Sequence, residues 1–187
     1  MTLFQPGYLP AQTLSGNAFY ASTAVAGVTL PILTATAQVC GLWNPLGSGV
    51  ELLPISLDLV ATAAATPVIA GLGLCWLGNT GSQVATGGPI SAFTTGTIYN
   101  ARLGLGVSSR AKFAPLTATI AAPVVLGYLG KFITSTTAGT DVQDGHYEFN
   151  GKLSIPPGNY VGLGSTIAQS GTTFAATWTW IELPFSG

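Results

Sequence analysis

The sequence contains very few charged residues. Asp, Glu, Lys and Arg together make up 6% of its 187 residues, against about 25% in an ordinary soluble domain. None occurs before Glu51, and none lies between Asp58 and Arg102. Because a monomer normally stays soluble through surface charge, we expect either lipid or other protein to cover much of this surface.

Long hydrophobic runs and basic clusters are also lacking. The longest apolar stretch, residues 68–77, is shorter than the roughly 20 residues of a spanning helix. Residues 1–10 contain no basic region and no cleavable apolar core, so we predict no export signal. Arg102, Arg110 and Lys112 are loosely spaced in a chain of net charge −1. The sequence therefore predicts neither a membrane nor a nucleic acid as partner.

Cysteine is scarce, with Cys40 and Cys75 only. Large intracellular domains rarely depend on disulfides, so both are interpreted as small buried hydrophobic side chains. Both fall in predicted strands, which leaves a bridge between them open.

Helical periodicity is nearly absent, whereas turn residues recur at short intervals, with 25 Gly and 12 Pro. Short strands separated by such turns are typical of a β-sandwich or barrel. The predicted strands are residues 18–29, 32–42, 50–61, 68–77, 97–105, 118–133, 147–155, 160–168 and 172–183, with Pro123 interrupting the sixth. We predict one all-β domain over residues 18–187.

Two of these strands have a clear alternation. In the last, Phe174, Ala176, Trp178 and Trp180 fall on one face, and Thr173, Thr177 and Thr179 fall on the other. In the third, Ile55, Leu57 and Leu59 are predicted to face inward, and Ser56 and Asp58 outward.

The first seventeen residues show no period. Phe4, Tyr8, Leu9 and Leu14 are interspersed with prolines and glycine. We predict an extended N-terminal arm over residues 1–17, covered by another protein surface because its apolar side chains would be costly in water.

Three segments carry a resemblance: residues 44–50 (NPLGSGV), 155–160 (IPPGNY) and 178–184 (WTWIELP). Together with the strand pattern between them, they resemble small structural proteins of tailed bacteriophages, which are jelly-roll sandwiches similar to the trimeric C1q/TNF-like heads. The resemblance implies a homotrimer on the virion, either a capsid decoration (cement) protein bound to the major capsid protein or a receptor-binding fibre tip. A fibre tip would usually follow a coiled-coil or repeat shaft, and this sequence contains none, so we expect decoration of the capsid surface rather than a fibre tip. The uncharged arm could supply the adhesive surface.

One polar cluster could bind a metal: Asp141, Asp144, His146 and Glu148 lie within eight residues. Their spacing matches neither a calcium loop nor a zinc signature. An exposed turn around Asp144 and Gly145 explains the cluster as well, so we predict no metal site and no cofactor.

Catalytic motifs are not found. His146 is the single histidine, no Gly-x-Ser-x-Gly elbow is present, and Asp144 and Glu148 are the only nearby candidates for the paired carboxylates of a glycosidase. We therefore predict a non-enzymatic protein without catalytic residues. A carbohydrate-binding module is the remaining alternative, with Trp178 and Trp180 as a sugar platform. Their alternation with Phe174 favours packing in a sandwich or trimer core. Trp43 and Trp76 are equally ambiguous.

Overall fold

A computed structural model of the chain describes residues 8–64, 68–78, 90–116, 118–134, 145–169 and 172–185. Its elements, in chain order, are α1 (Tyr8–Leu14), β1 (Ala18–Ser22), β2 (Ala37–Asn44), β3 (Val50–Ala64), β4 (Val68–Leu77), β5 (Ile90–Phe93), β6 (Tyr99–Asn100), β7 (Lys112–Ala114), β8 (Ala118–Ile120), β9 (Val124–Thr134), β10 (Gly145–Glu148), β11 (Asn159–Ser165) and β12 (Thr172–Pro184). The predicted all-β fold is confirmed, and the strands form a jelly-roll-like sandwich of two antiparallel sheets.

We call the two sheets A and B. Sheet A has five strands in the order β10-β3-β12-β1-β6. Sheet B has seven, in the order β5-β8-β2-β11-β4-β9, with β7 pairing beside β8 on β2. The longest pairing joins β12 to β3, from Thr172 opposite Ala64 to Pro184 opposite Val50. The last strand is therefore central in sheet A.

The main core lies between the sheets. Trp178, Trp180 and Phe174 of β12 are at most 2% exposed and belong to one cluster with Leu42, Leu72, Leu163 and other side chains of sheet B. Side chains alternate between the two faces along a strand. Trp43, Cys75 and Tyr160 of sheet B therefore point away from the main core, to the outer side of the sheet. There they form a second cluster with Ile90, Ala118 and Ile120 from β5 and β8.

The predicted alternation in the third strand is confirmed for Leu57 and Leu59, which are buried, whereas Ile55 is half-buried. The reason is a register shift: Thr179 pairs with Ser56 and Trp180 with Pro54, so Ile55 is the extra residue of a bulge.

The predicted extended arm is wrong over Tyr8–Leu14, which forms helix α1. Pro10 sits in the first turn, where its missing N–H removes no helical hydrogen bond. Gly16 then ends the helix with a φ of 78°, a conformation that glycine adopts without strain. The other residues of the predicted arm that precede Tyr8 lie outside the described residues.

Several predicted strands are shorter than expected. The first ends at Ser22 rather than residue 29, since Gly27 turns the chain with a φ of 71°. The fifth reduces to Tyr99–Asn100. Pro123 does split the sixth, into β8 and β9. β5 and β7 were not predicted.

Candidate functional site on the outer face of sheet A

The outer face of sheet A carries two rows of polar side chains. Strand register aligns Ser22, Thr177, Asp58 and His146 in one row, and Tyr99, Tyr20, Thr179, Ser56 and Glu148 in the next. Apart from Ser56, which is 9% exposed, these side chains are half-buried or exposed. The next row along the strands consists of Ala18, Ile181 and Leu53 and is buried. The solvent-accessible part of the outer face therefore does not include this row. We call the two rows, together with Val60, Thr62, Thr173 and Ala175, the hydroxyl face.

Hydroxyl groups on this face bond to one another. Ser22 Oγ lies 2.8 Å from Thr177 Oγ1, and Thr62 Oγ1 lies 2.8 Å from Thr173 Oγ1. Polar groups that already have partners lose less when water is removed. These paired hydroxyl groups are therefore polar but cost little to desolvate.

An ion-pair network occupies the β10 end of the face. His146 Nδ1 lies 2.5 Å from Asp58 Oδ1 on β3, and His146 Nε2 lies 3.5 Å from Glu148 Oε1. The hydrogen bond to Asp58, then that to Glu148, raises the pKa of His146 above its usual 6.5. With both ring nitrogens turned to carboxylates, the imidazolium is the protonation state that satisfies both contacts.

Only His146 and Glu148 of the predicted polar cluster lie within the described residues. Asp141 and Asp144 lie outside the described residues, and Asp58, which the cluster did not include, is the closest partner of His146. Among the described residues, no three His, Cys, Asp or Glu side chains are arranged to hold a metal ion. The sequence signal for Asp58 was its outward position in β3, but its pairing with β10 joins residues 88 apart.

The aromatic pair of this face is Tyr20 and Tyr99. Their rings are stacked with centroids 5.5 Å apart, and Tyr99 is 52% exposed. By contrast, Trp178 and Trp180 have no exposed surface. Trp178 Nε1 donates to the carbonyl of Cys40 at 2.8 Å, and its ring stacks on Phe149. Core packing is confirmed for both tryptophans, and their interpretation as a sugar platform is wrong.

A buried carboxylate outside the face was missed by the sequence analysis. Glu182 is 7% exposed and accepts hydrogen bonds from Ser109 Oγ at 2.5 Å and from the backbone N–H of Arg110 at 3.1 Å and Ala111 at 3.3 Å. These contacts fix the loop before β7 to the end of β12, which indicates a structural role.

Cys40 and Cys75 are both buried and free, so they form no disulfide bridge. This agrees with their interpretation as small buried hydrophobic side chains. Burial raises the pKa of each thiol to about 12, so neither is a nucleophile near neutral pH.

Comparisons with known proteins add no assignment: no protein-family model matches the sequence, and no curated protein matches it either. Within the described part of the chain, none of the helical structure is long and apolar enough to cross a membrane.

Proposed function

We propose that this protein is a non-enzymatic virion structural protein that self-associates through the hydroxyl face as a homotrimer and decorates a phage capsid. The observation that carries self-association is the open face itself. The outward side chains of sheet B are buried in the second cluster, to which β5 and β8 contribute. Among the described residues, no comparable cluster covers the hydroxyl face. A sheet face left without a layer in its own chain is a candidate interface.

The composition of the face supports a protein partner. The parts contributed by β12, β1 and β6 carry no charge: their side chains are Thr, Ser, Ala and Tyr. Small side chains let a neighbouring backbone approach closely, and charged residues are depleted at interface cores. Five strands spaced about 4.8 Å apart span roughly 19 Å from the first to the last, which suits the centre of an interface between subunits.

The number of subunits and the capsid as partner rest on the resemblance to phage jelly-roll proteins. In a ring of three, each contact joins two different surfaces of neighbouring subunits. The assembled ring would then bridge capsomers and add buried area between them. Exposed apolar side chains of α1, Leu9 at 39% and Leu14 at 67%, support an adhesive role for the N-terminal region.

Self-association is tested by placing a charge on the hydroxyl face. Thr177→Arg should convert the trimer to monomer in sedimentation velocity while the circular dichroism spectrum stays unchanged. Ser108→Arg is the matched control, since Ser108 is exposed in the loop before β7, and it should leave the trimer intact. A wild-type protein that sediments as a monomer at all concentrations would contradict the proposal.

The capsid role is tested separately by electron microscopy of intact virions. Density for this protein on the shell at three-fold positions supports decoration. Density at the tail or at fibre ends would instead support a receptor-binding trimer.

A second candidate is carbohydrate binding, favoured by one specific observation. The exposed ring of Tyr99 shares the hydroxyl face with Asp58 and Glu148, and sugars bind through aromatic stacking combined with polar groups. The two functions exclude each other on this face. Tyr99→Ala should abolish glycan binding in a glycan-array measurement if the sugar hypothesis is right, whereas a face buried in the trimer gives no glycan signal in either protein.

A further inference from the structure

A pocket opens beside β6 and is formed with the loop that connects this strand to β7, which we call the β6–β7 loop (residues 101–111). The pocket has a volume of about 400 Å³, and its walls include Ile98, Tyr99, Lys112 and residues 103–109. Sites for small molecules begin at roughly 300 Å³. The pocket is therefore large enough for a small organic ligand.

The β6–β7 loop and the first residue of β7 carry an excess of positive charge. Arg102, Arg110 and Lys112 are three of the five Lys and Arg residues of the whole chain, and residues 59–140 contain no Asp or Glu. All three side chains are exposed, and none lies within ion-pair distance of a carboxylate in the part of the chain that the structure describes. A cleft lined by charge of one sign attracts ligands of the opposite sign.

Lys112 is the cation that lines the pocket, and its main chain is fixed. It begins β7, where it pairs with Trp43 of β2, and its neighbours Ala111 and Phe113 are at most 2% exposed. The exposed side chain of Lys112 therefore starts from a rigid strand. A charged group on a rigid element binds a ligand at a smaller entropic cost than one on a mobile loop.

Main-chain donors form another polar part of the pocket wall. Gly104 and Gly106 have no side chain, so they line the pocket with backbone atoms, and a Cβ added at either would meet nothing within 4 Å. Among the described residues, no acceptor pairs with the N–H groups of Gly104, Gly106, Val107 and Ser108. Backbone N–H groups that are open to a ligand can bind an oxyanion.

One carboxylate, that of Glu182, lies beside the loop without lining the pocket. It accepts hydrogen bonds from Ser109 Oγ and from the N–H groups of Arg110 and Ala111. These donors already satisfy it, and its single charge is outnumbered by the three cations. Glu182 therefore fixes the end of the loop, and the net charge around the pocket stays positive.

Apolar side chains line the rest of the pocket. Ile98, Leu103, Leu105 and Val107 contribute to its walls, and Leu103 is 77% exposed and Val107 48% exposed. Exposed apolar surface is stabilised by contact with an apolar partner. The pocket thus combines donors for an anion with surface for an apolar body.

We propose that this pocket binds small organic anions, in which a compact apolar body carries a carboxylate or a phosphate group. The oxyanion accepts hydrogen bonds from Lys112 and from the N–H groups of the β6–β7 loop, and the apolar body contacts Leu103 and Val107. This inference does not depend on the trimer or on the capsid.

The requirement for charge is tested with benzoate and benzamide, two probes of matching shape. In amide NMR titrations of the full chain, benzoate should shift the signals of Gly104, Gly106 and Val107 and should bind about tenfold more tightly than neutral benzamide. Phenyl phosphate in the same titration distinguishes the two oxyanions, since the tighter anion identifies the group that the pocket prefers. If neither anion binds more tightly than benzamide, or if the shifts lie outside the pocket, the proposal is wrong.

Lys112→Met removes the charge and keeps an unbranched side chain, so it should weaken benzoate binding about tenfold. Lys131→Met is the matched control, because Lys131 is exposed on β9 and does not line the pocket, and it should leave the affinity unchanged. A salt series on the wild type needs no variant. Raising NaCl from about 0.05 M to about 0.5 M should weaken benzoate binding and leave benzamide binding unchanged. Benzoate affinity that is insensitive to salt or to Lys112→Met would overturn the proposal.

The same titration in Thr177→Arg keeps the result separate from self-association. Thr177 lies on the hydroxyl face and outside the pocket, so this variant should bind benzoate at least as tightly as the wild type. Sedimentation of the same samples reports on the trimer, and the titration reports on the pocket. Absence of benzoate binding in both proteins would refute the pocket proposal, whichever way sedimentation turns out.

Discussion

The outer faces of the two sheets differ in how they are covered. Sheet B places Trp43, Cys75 and Tyr160 outward and buries them under β5 and β8 of its own chain. Sheet A places hydroxyl groups, tyrosines and one ion-pair network outward, and much of that face stays open. An apolar outer face must be covered during folding, whereas a hydroxyl-rich one tolerates water until a partner arrives. One outer face thus contributes to the stability of the fold, and the other is the face proposed above for self-association.

The largest effect is expected where both sheets meet. Trp178→Ala removes a fully buried ring from the main core, where it stacks on Phe149 at a centroid distance of 5.6 Å. We expect a loss of about 3–5 kcal/mol in the free energy of unfolding, measured by urea denaturation. Thr179→Ala, the neighbour on the hydroxyl face, is the control and should cost under about 1 kcal/mol. Equal losses would show that the two sides of β12 are not distinct.

A second prediction addresses the packing of sheet B. A Cβ added at Gly41 would lie 2.0 Å from Tyr160 Oη and 2.3 Å from the ring, whereas one added at Gly127 of β9 meets nothing within 4 Å. Because the buried ring cannot move aside, Gly41→Ala should lower the free energy of unfolding by about 1–3 kcal/mol. Gly127→Ala should be close to neutral. Comparable melting temperatures for the two variants would contradict a closely packed second cluster.

The same tyrosine gives a prediction of opposite sign. Tyr160 is fully buried, burial raises its pKa well above 10, and its hydroxyl has no hydrogen-bond partner among the residues that the structure describes. An unpaired buried polar group is destabilising. Tyr160→Phe should therefore stabilise the protein by about 1 kcal/mol in urea denaturation. Tyr20→Phe, on the hydroxyl face, should leave stability within about 0.5 kcal/mol of the wild type. A destabilised Tyr160→Phe would mean that the hydroxyl is paired.

The sequence predicts the long strands of both sheets better than the short strands that pack beside them. β4 matches its predicted bounds, and the alternation of β12 correctly places Trp178 and Trp180 in the core, because a long strand with one buried face shows a period of two. β5 and β7 have four and three residues, too few to show a period. Their strand structure depends on pairing with β8 and β2, which is decided by tertiary contacts.

Two further differences have the same origin. α1 buries none of its residues, so no apolar stripe marks it in the sequence, and local capping by Gly16 decides where it ends. The pairing of Asp58 with His146 depends on the register between β3 and β10, which turn signals alone do not specify. Hence the candidate site could be predicted residue by residue only where one strand supplies it.

The smallest expected effect concerns the ion pair at the edge of the hydroxyl face. Contacts with Asp58 and then Glu148 raise the pKa of His146 above 6.5 in the folded protein. A raised folded pKa means that the pair stabilises the fold fully below pH 6.5, and that this stabilisation is lost as pH rises through the folded pKa.

We expect urea denaturation to show wild type more stable than His146→Gln at pH 5.5, with the difference shrinking above pH 6.5. A difference that is constant from pH 5.5 to 8.5 would mean that His146 contributes through packing alone. In that case the edge of sheet A would hold no titrating contact, and dissociation of the proposed trimer, measured by sedimentation over the same pH range, should likewise be independent of pH.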